Sequence, residues 1–482
     1  MVLASQQSQE IVMQSPSYVS DVFRFYNLAA GILLNMPKEQ LKTMPEHIIG
    51  DICSVLVYGA QFAEKLMAGL DFSNLFKLVV MLLSKDCASL VRNYNVRAEL
   101  GDVLHDVFLP SNSSDRRRSV PDSVTCDPLQ MGQPYLTSNK LALETLAPSL
   151  LLLYGEVEHT GYYEKMSYRV KIAALLKYLW ECPAHKPAFK AIAGDEESFD
   201  TFANGIVNEM NTQYADAIKA LVSIRSTQLL MANQQEWAAR SEEEREQIEE
   251  RYANDESQSR NMLALCTSVL KMLGFLSTDD DIRTMFTKPE MRQRLADMLL
   301  FVLQKIVGSR GLDLKVDNPE SYGFRPKEML QDLCAVFSSF ASDDEFQKSC
   351  ARSGYYSPEL MQKALKTCRK QGLLVGESLD LFTLLAGKVE DAHKALADEE
   401  ELYDGAPEEF MDPITQEWME SPVTLPSGNV TDLKTIKQHL LNDPHDPFNR
   451  SPLTLDQCVP ANELREKMKA WLEEKKKTNK SS

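Results

Sequence analysis

The chain has 482 residues, of which 44% are hydrophobic and 25% are charged, and its formal net charge is −18. This composition is typical of a globular protein with a large core and excludes a wholly disordered chain. The acidic excess makes a nucleic-acid or anionic-membrane partner unfavourable, and no apolar run reaches the roughly 20 residues that span a bilayer.

The nine cysteines are scattered, without a CxxC pair or histidines at metal-ligand spacing. Reduced thiols in a cytosolic or nuclear protein are therefore expected. The stretch from Met1 to Gln14 is polar and lacks the apolar core of a secretory signal. We find no P-loop, no dinucleotide-binding glycine pattern and no hydrolase nucleophile elbow, so no cofactor is expected.

Residues 1–404 show helical periodicity almost throughout. Apolar side chains recur at helical spacing on three clear faces: Ile206, Met210, Ile218, Leu221 and Ile224; Leu295, Met298, Leu299, Val302, Leu303 and Ile306; and Leu330, Leu333, Val336, Phe337 and Phe340. The first face predicts a long helix with room to extend past Trp237. Successive helices joined by short breaks predict a mostly-α fold, an armadillo- or HEAT-like α-solenoid, although no regular repeat period is found.

Changes in composition mark the connecting segments. Pro110–Pro134 is rich in Ser, Pro and Arg and is predicted to be an exposed loop; its Arg116–Arg118 run could also be an import signal or lie in a phosphorylation site. Ser241–Arg251 reads as a charged, solvent-facing helix end. Lys388–Asp404 reads as a charged helix that leads to a hinge at Gly405–Pro407. These breaks predict a helical domain at 1–404 and a second domain at 405–482.

The second domain has the turn and cap residues expected of a small, complete fold, but it contains few potential metal ligands. From Glu408 to Lys477 it contains one cysteine, Cys458, and two histidines, His439 and His445. This set is too small for a structural metal site. A fold of this size then depends on packing and hydrogen bonds.

The local pattern in this domain predicts a hairpin followed by two helices. Pro422–Leu425 is β-prone, turn residues follow, and Val430–Thr431 can return as the partner strand. Asp432 is placed to cap a helix that ends near Asn442. The last helix, Ala461–Lys475, has an apolar stripe and ends in lysines, which the helix dipole favours.

Two loops rich in Asp and Pro, one at Asp412–Pro413 and one from Asp443 to Pro452, flank the first of these helices. This is the outline of a RING-type cross-brace without its metal ligands. The segment resembles a U-box, and FMDPI, ESPVTLPSG, DPFNRSPLT and the closing helix with Trp471 resemble the U-box of the ubiquitin conjugation factor E4 family. A weaker resemblance extends upstream to Gly161–Trp180 and Asn95–Phe108, as in the C-terminal half of the longer family members.

The resemblance implies a function. A U-box binds a ubiquitin-conjugating enzyme (E2) charged with ubiquitin and promotes transfer to lysine without a covalent intermediate. By position, Ile414 and Pro447 match the residues of the E2-docking groove, and Leu440 or Leu441 matches its floor. Arg450 matches the arginine that touches both the E2 and ubiquitin. Polar residues take the place of the metal: Asp412, Ser427, Asp432, Asn449 and Thr454 are the expected network.

Several of these residues have a plainer interpretation. Ile414 could be ordinary core, Pro447 could simply stiffen its loop, and Arg450 could be a structural ion-pair partner of Asp412 or Asp446. Cys458 is expected to be a buried residue that contributes to packing rather than a thioester nucleophile, because no histidine lies near it in sequence.

Two positions depart from the usual U-box pattern. Thr431 stands where an aromatic residue is common, which predicts looser packing beneath the following helix. Trp418 stands where a smaller aliphatic residue is common and could fill that space.

The family also implies partners. The expected function is ubiquitin chain elongation on already ubiquitinated clients, with delivery to proteasomal degradation, including degradation of endoplasmic-reticulum clients. The implied partners are a charged E2, the clients and an AAA-type segregase, valosin-containing protein, with the chain a monomer in cytoplasm and nucleus. The alternative is a non-catalytic helical-repeat scaffold with an inactive U-box.

Overall fold

The computed structural model describes residues 15–67, 69–110, 132–308, 316–403 and 405–479. The chain divides into two compact units, Met1–Lys388 and Val389–Ser482. The predicted boundary at residues 404 and 405 falls within the second unit and stays a prediction. The Arg116–Arg118 run of the predicted loop lies outside the described residues.

The first unit is built from α-helices. Its helices are α1 Pro16–Leu34, α2 Lys38–Leu41, α3 His47–Phe62, α4 Glu64–Met67, α5 Ser73–Leu83, α6 Tyr94–Val103, α7 Gln133–Ser138, α8 Lys140–Glu156, α9 Tyr162–Glu181, α10 Lys186–Ile192, α11 Glu196–Ala232, α12 Gln234–Ala238, α13 Glu242–Leu276, α14 Asp280–Phe286, α15 Pro289–Val307, α16 Pro326–Ser339, α17 Asp344–Arg352 and α18 Pro358–Gln371. Short 3₁₀ turns and one π turn, Leu104–Phe108, join them. The mostly helical fold is therefore confirmed.

Long helices pack mainly on helices close to them in sequence. Helix α11 packs on α8, α13 and α15, and α13 packs on α9, α11 and α16. Contacts between near neighbours are the pattern that helical repeats use to build a continuous core. The predicted faces of α15 and α16 are buried, as the apolar spacing requires.

The ends of the long helices follow local capping rules. Asp195 caps α11 by accepting a hydrogen bond from the Ser198 amide. The helix ends at Ala232, because Asn233 leaves helical geometry and caps the short α12 by accepting from the Glu236 amide. The predicted extension past Trp237 is therefore wrong. Ser241 forms a capping box at the start of α13, so the charged segment is a helix end, as predicted.

The structure can be compared with two observations from the sequence, the length of its apolar runs and the state of its cysteines. Across the described parts of the chain, no helix is both long enough and apolar enough to cross a membrane. The cysteines described there have free thiols, and most of them are buried in the first unit. Burial of free cysteine is ordinary core packing.

The second unit contains a small sheet between helices. It includes the end of α19 Glu377–Tyr403, then β1 Pro422–Thr424, β2 Val430–Asp432, α20 Leu433–Asn442, β3 Val459–Pro460 and α21 Asn462–Asn479, with 3₁₀ turns at Glu408–Phe410 and Leu455–Gln457. The strands are antiparallel in the order β2-β1-β3, with Val423 opposite Thr431 on one side and Pro460 on the other. The predicted hairpin and both predicted helices are confirmed. The third strand was not predicted, because a strand of two residues is too short to show an alternation of apolar and polar side chains.

Two apolar clusters hold this unit together. The first, the sheet–helix cluster, is formed by Val423, Leu425, Ile436 and Leu453. The second, the aromatic cluster, is formed by Phe410, Met419 and Met468, with Trp418 and Trp471 packed against them. Each cluster is small, so single side chains contribute a large share of the stability of the unit.

Trp418 packs in the aromatic cluster rather than in the predicted space beside Thr431. Its ring stacks on Tyr403 with centroids 4.7 Å apart, and it lies 5.8 Å from Trp471 and 5.6 Å from Phe410. Thr431 is itself fully buried and donates a hydrogen bond to Asp412 Oδ2. The space that an aromatic ring was expected to fill is thus used by a polar contact.

We expect Trp418→Ala to destabilise the second unit by about 3 kcal/mol, near the lower end for a large aromatic side chain because Trp418 is partly exposed. Hydrogen exchange of the β1 and β2 amides would measure this loss. Trp418→Phe is the matched control, since it keeps a ring against Tyr403. A loss below about 1 kcal/mol for the alanine variant would show that the stack contributes little.

Candidate functional site

Two loops of the second unit share one design. Loop A, Met411–Trp418, and loop B, His445–Pro452, each contain an Asp-Pro pair at the second and third positions. Each loop is closed by an antiparallel bridge, between Met411 and Trp418 in loop A and between His445 and Pro452 in loop B. The equal length and equal closure make the two loops comparable residue by residue.

The backbone hydrogen bonds of the two loops also match. In loop A the Gln416 amide donates to the Asp412 carbonyl at 2.8 Å, and in loop B the Arg450 amide donates to the Asp446 carbonyl at 2.8 Å. Gln416 and Arg450 both adopt left-handed φ angles, 61° and 58°. A positive φ is uncommon for residues other than glycine, so its recurrence at the equivalent position confirms a shared loop geometry.

The Asp412 carboxylate joins loop A to the sheet and to α20. It is almost fully buried. Oδ1 accepts from the amides of Ile414 (2.8 Å) and Thr415 (3.3 Å), and Oδ2 accepts from Thr431 Oγ1 (2.8 Å) and the Asp432 amide (2.7 Å). Burial alone would raise the pKa of Asp412, but these donors hold it below its usual value.

Asp446 has the equivalent task in loop B. Its side chain is fully buried, and Oδ1 accepts from the Phe448 amide at 2.9 Å. Burial would raise the pKa of Asp446, yet the Phe448 amide and the nearby Ser427 in the β1–β2 turn hold it below its usual value. Asp446 was not predicted as part of the network. The repeat of Asp-Pro at equal positions of two loops was the signal that could have found it.

Both loops are tied to the same helix. Asp432, bonded to Asp412, caps α20 by accepting from the Lys434 amide at 2.8 Å, and its other oxygen accepts from the Ser421 amide. Near the other end of α20, His439 Nε2 lies 2.8 Å from the His445 carbonyl of loop B, the geometry of a donated hydrogen bond. The two loops therefore flank α20 as the predicted cross-brace requires. Among the residues described, no group of three or more His, Cys, Asp and Glu is arranged to hold a metal.

The predicted network residues divide into two kinds. Asp412 and Asp432 join separate elements through the bonds described above, and Ser427 lies near enough to Asp446 to help lower its pKa. Asn449 only closes a local turn by accepting from Ser451, and Thr454 caps the 3₁₀ turn after it in a capping box with Gln457. The last two are exposed, so the core of the network is smaller than predicted.

The predicted docking residues lie on the loops and on α20. Ile414 on loop A is 44% exposed, so the alternative that it is ordinary core is wrong. Pro447 is partly buried on loop B, and Leu440 packs against the sheet–helix cluster from α20. Phe448, which occupies the position of Ile414 in loop B, is 39% exposed and was not predicted. The docking role of these residues stays a prediction.

Arg450 is exposed at the left-handed position of loop B. Among the described residues, no carboxylate lies within 4.0 Å of its guanidinium, whereas His445 Nδ1 is paired with Asp443. The alternative of a structural ion pair with Asp412 or Asp446 is therefore wrong. Asp412 and Asp446 bond mainly to backbone amides and hydroxyls, which leaves the Arg450 side chain to face solvent or a partner.

Cys458 has the environment of a packing residue. It is partly buried against the sheet–helix cluster, and its Sγ lies 3.9 Å from the Thr454 carbonyl. Burial, together with the negative charge of Asp446, raises the pKa of the Cys458 thiol. A nucleophilic cysteine needs the opposite shift, so the packing interpretation is supported.

Two matched loops that flank one helix, cross-linked by buried carboxylates, define a U-box. Residues 406–477 match the family described as "U-box domain", and residues 1–390 match the family described as "Ubiquitin elongating factor core". The chain belongs to the ubiquitin elongating factor family, the ubiquitin conjugation factors E4. The family resemblance read from the sequence is thereby confirmed.

Curated relatives carry the same family name. The chain is 29% identical over 97% of its length to the "Probable ubiquitin conjugation factor E4" of Arabidopsis thaliana. It is 32% identical over 71% of its length to the "Ubiquitin conjugation factor E4 ufd-2" of Caenorhabditis elegans and 31% over 70% to the "E4 ubiquitin-protein ligase UFD2" of Saccharomyces cerevisiae. The matches span 46%, 35% and 36% of these three relatives, so this chain covers less than half of each.

Proposed function

We propose that the chain is a U-box ubiquitin ligase of the chain-elongating E4 kind. The observation that carries the proposal is the pair of matched loops, which present Ile414 and Arg450 as exposed side chains on either side of α20. The carboxylates that build the loops are buried beneath them. The unit is thus organised to display these side chains on a rigid frame.

In this proposal, the charged E2 docks on the apolar part of this surface. Ile414, Phe448 and Pro447 offer exposed or partly exposed apolar area on the loops. Binding energy at such surfaces comes mainly from a few anchoring side chains that become desolvated. Leu440, held by the sheet–helix cluster, supports the surface from α20.

Transfer then depends on position rather than on covalent chemistry. The ubiquitin thioester on the E2 is mobile, and Arg450 restrains it by donating hydrogen bonds to two partners at once. Restraint near the geometry of attack removes part of the entropy that the reaction must otherwise lose. An incoming neutral lysine amine attacks the thioester carbonyl, the isopeptide C–N bond forms as the thioester C–S bond breaks, the E2 cysteine leaves as thiolate, and the amine gives up a proton to solvent.

The helical first unit serves in this proposal to hold an already ubiquitinated client. Further elements of the proposal are an AAA-type segregase, valosin-containing protein, as partner, delivery of clients to the proteasome, a monomeric chain and a place in cytoplasm and nucleus. A scaffold with an inactive U-box is the competing function. Exposed Ile414 and Arg450, whose guanidinium has no carboxylate within 4.0 Å among the described residues, favour the ligase, because an inactive frame would have no use for them.

The test is discharge of ubiquitin from a charged E2 onto free lysine in a single turnover. We expect the wild-type chain to accelerate discharge across part of an E2 panel, and Ile414→Ala to reduce the acceleration about tenfold or more, since it removes a desolvated anchor. Val459→Ala, which truncates an exposed apolar side chain on β3, is the matched control and should retain activity. Absence of acceleration by the wild-type chain with every E2 would favour the scaffold.

A further inference from the structure

Two cysteine thiols of the first unit lie in contact with each other. Cys334 on α16 and Cys368 on α18 place their Sγ atoms 3.8 Å apart. Both side chains are fully buried, and the two helices pack on one another. A disulfide joins sulfurs about 2.05 Å apart, so the two atoms need to approach by about 1.8 Å. Small adjustments of the two side chains are sufficient for a movement of that size.

The two thiols differ in how readily they lose a proton. Burial raises the pKa of the Cys334 thiol well above its ordinary value. The pKa of the Cys368 thiol is lowered, because the Cys334 thiol donates a hydrogen bond to the Cys368 thiolate. The thiolate is the form of cysteine that attacks an oxidant. Cys368 is therefore the nucleophile of the pair, and Cys334 is in position to react with it afterwards.

The position of Cys368 in its helix gives a small oxidant a route to the sulfur. Cys368 lies in the last turn of α18, which ends at Gln371. Gly372 follows with a left-handed φ of 64°, and the Leu373 amide closes the turn by donating to the Cys368 carbonyl at 3.0 Å. Residues 369–372 are exposed. The last turn of a helix opens more readily than its middle, and such an opening uncovers a sulfur that is buried in the closed form.

Cys350 on α17 shows the behaviour of a buried cysteine without these features. It is fully buried, and burial raises the pKa of its thiol, as do the negative charges of Asp297 and Asp343. A thiol in that environment stays protonated and reacts slowly with oxidants. Burial alone therefore does not distinguish Cys368, whereas its contact with a second thiol does.

We propose that Cys334 and Cys368 form a reversible disulfide when the chain meets hydrogen peroxide. The Cys368 thiolate attacks one peroxide oxygen, the O–O bond breaks, and the departing hydroxide takes up the proton that Cys368 released, which leaves Cys368 as a sulfenic acid. The Cys334 sulfur then attacks the Cys368 sulfur. The S–S bond forms as the S–O bond breaks, and the second hydroxide leaves with the Cys334 proton as water. Two thiols and one peroxide thus give one disulfide and two waters, and a thiol reductant reverses the change.

The disulfide ties together the two helices that hold the start of α19. Ser338 on α16 donates from Oγ to the Ser378 carbonyl at 3.1 Å, and Arg369 on α18 donates from Nη2 to Thr383 Oγ1 at 3.2 Å. A covalent link between helices restricts the open states of the segment that it closes. Oxidation is therefore expected to slow hydrogen exchange in the last turn of α18 and the first turns of α19. This inference does not depend on the ubiquitin ligase activity.

The experiment detects the disulfide by peptide mapping. The folded full-length chain is treated with hydrogen peroxide, the peroxide is removed with catalase, and the chain is unfolded in excess N-ethylmaleimide and digested with trypsin without reduction. Trypsin releases Cys334 in the peptide 328–348 and Cys368 in the peptide 367–369, each without a second cysteine. We expect a linked pair of these peptides to form within hours and to separate on treatment with dithiothreitol.

Cys350→Ala is the matched control, because it removes an equally buried thiol and should leave the link at its wild-type yield. Cys334→Ala should form no link and should leave Cys368 as a sulfenic acid that dimedone traps, whereas Cys368→Ala should leave Cys334 unlabelled. Equal dimedone labelling of both single variants overturns the order of attack. No linked peptide from the folded wild-type chain overturns the proposal, as does a link that forms only when peroxide is added after unfolding.

Discussion

Asp412→Ala is expected to unfold the U-box and abolish its stimulation of ubiquitin discharge. The substitution leaves four donors without their acceptor: the amides of Ile414, Thr415 and Asp432, and the Thr431 hydroxyl. The Thr431 hydroxyl and the Asp432 amide are buried, and each buried donor left unpaired costs about 1–3 kcal/mol. A domain of this size rarely has more than about 3–5 kcal/mol of stability, so the summed loss is sufficient to unfold it.

Hydrogen exchange of residues 405–479 in the full-length chain would show this as loss of protection in β1, β2 and α20, with the first unit unchanged. Asp456→Ala, which removes an exposed carboxylate from the 3₁₀ turn at Leu455–Gln457, is the control and should retain protection. Asp412→Asn keeps one acceptor oxygen and should fall between the two. Full protection in Asp412→Ala would mean that loop A is held by its apolar contacts alone.

The same carboxylate predicts a pH dependence. The folded-state pKa of Asp412 is lowered, as is that of Asp446, so the unfolded chain binds protons more readily than the folded one. The stabilisation is present above the unfolded pKa of about 3.9 and is lost as pH falls through the folded values. Protection of the U-box should therefore be steady from pH 7 to about 5 and decline below about 4. Asp412→Asn should flatten part of that decline.

The features of the fold that can be predicted from the sequence are those that depend on a few residues close together in the chain. The apolar faces of α15 and α16, the cap at Asp432 and the β1–β2 turn each lie within a few residues, and the structure confirms them. Helix α11 was predicted too long because apolar spacing continues past Ala232, whereas one side chain, Asn233, ends it by capping the next helix. Termination by a single cap is a weaker signal than periodicity.

Features that join distant segments were harder to predict. The importance of Asp446 depends on Ser427 in a separate turn, and β3 exists only because Val459 and Pro460 reach β1. No local sequence pattern shows which distant segments will come into contact. The family resemblance gives Ile414, Pro447 and Arg450 roles that stay predictions, and the matching backbone of the two loops that carry them is visible only in the structure.

Arg450→Ala is expected to slow discharge onto free lysine about 10- to 100-fold while leaving E2 affinity nearly unchanged. A charge-assisted hydrogen bond contributes about 1.5–3 kcal/mol, which corresponds to one to two powers of ten in rate. The guanidinium is exposed and, within the described residues, has no carboxylate within 4.0 Å, so its removal breaks no ion pair inside the unit. The loss should therefore appear in the rate at saturating E2 rather than in binding.

The backbone at this position needs its own control, because alanine tolerates a left-handed φ poorly. Gln416→Ala imposes the same strain at the equivalent position of loop A and should leave discharge nearly intact. Arg450→Asn accepts the left-handed conformation but cannot bridge two partners, so it should be as slow as Arg450→Ala. Arg450→Lys keeps the charge without the planar fork and should restore only part of the rate. Discharge at the wild-type rate by Arg450→Ala and Arg450→Asn would show that the two loops serve docking alone and that ubiquitin is positioned by the E2.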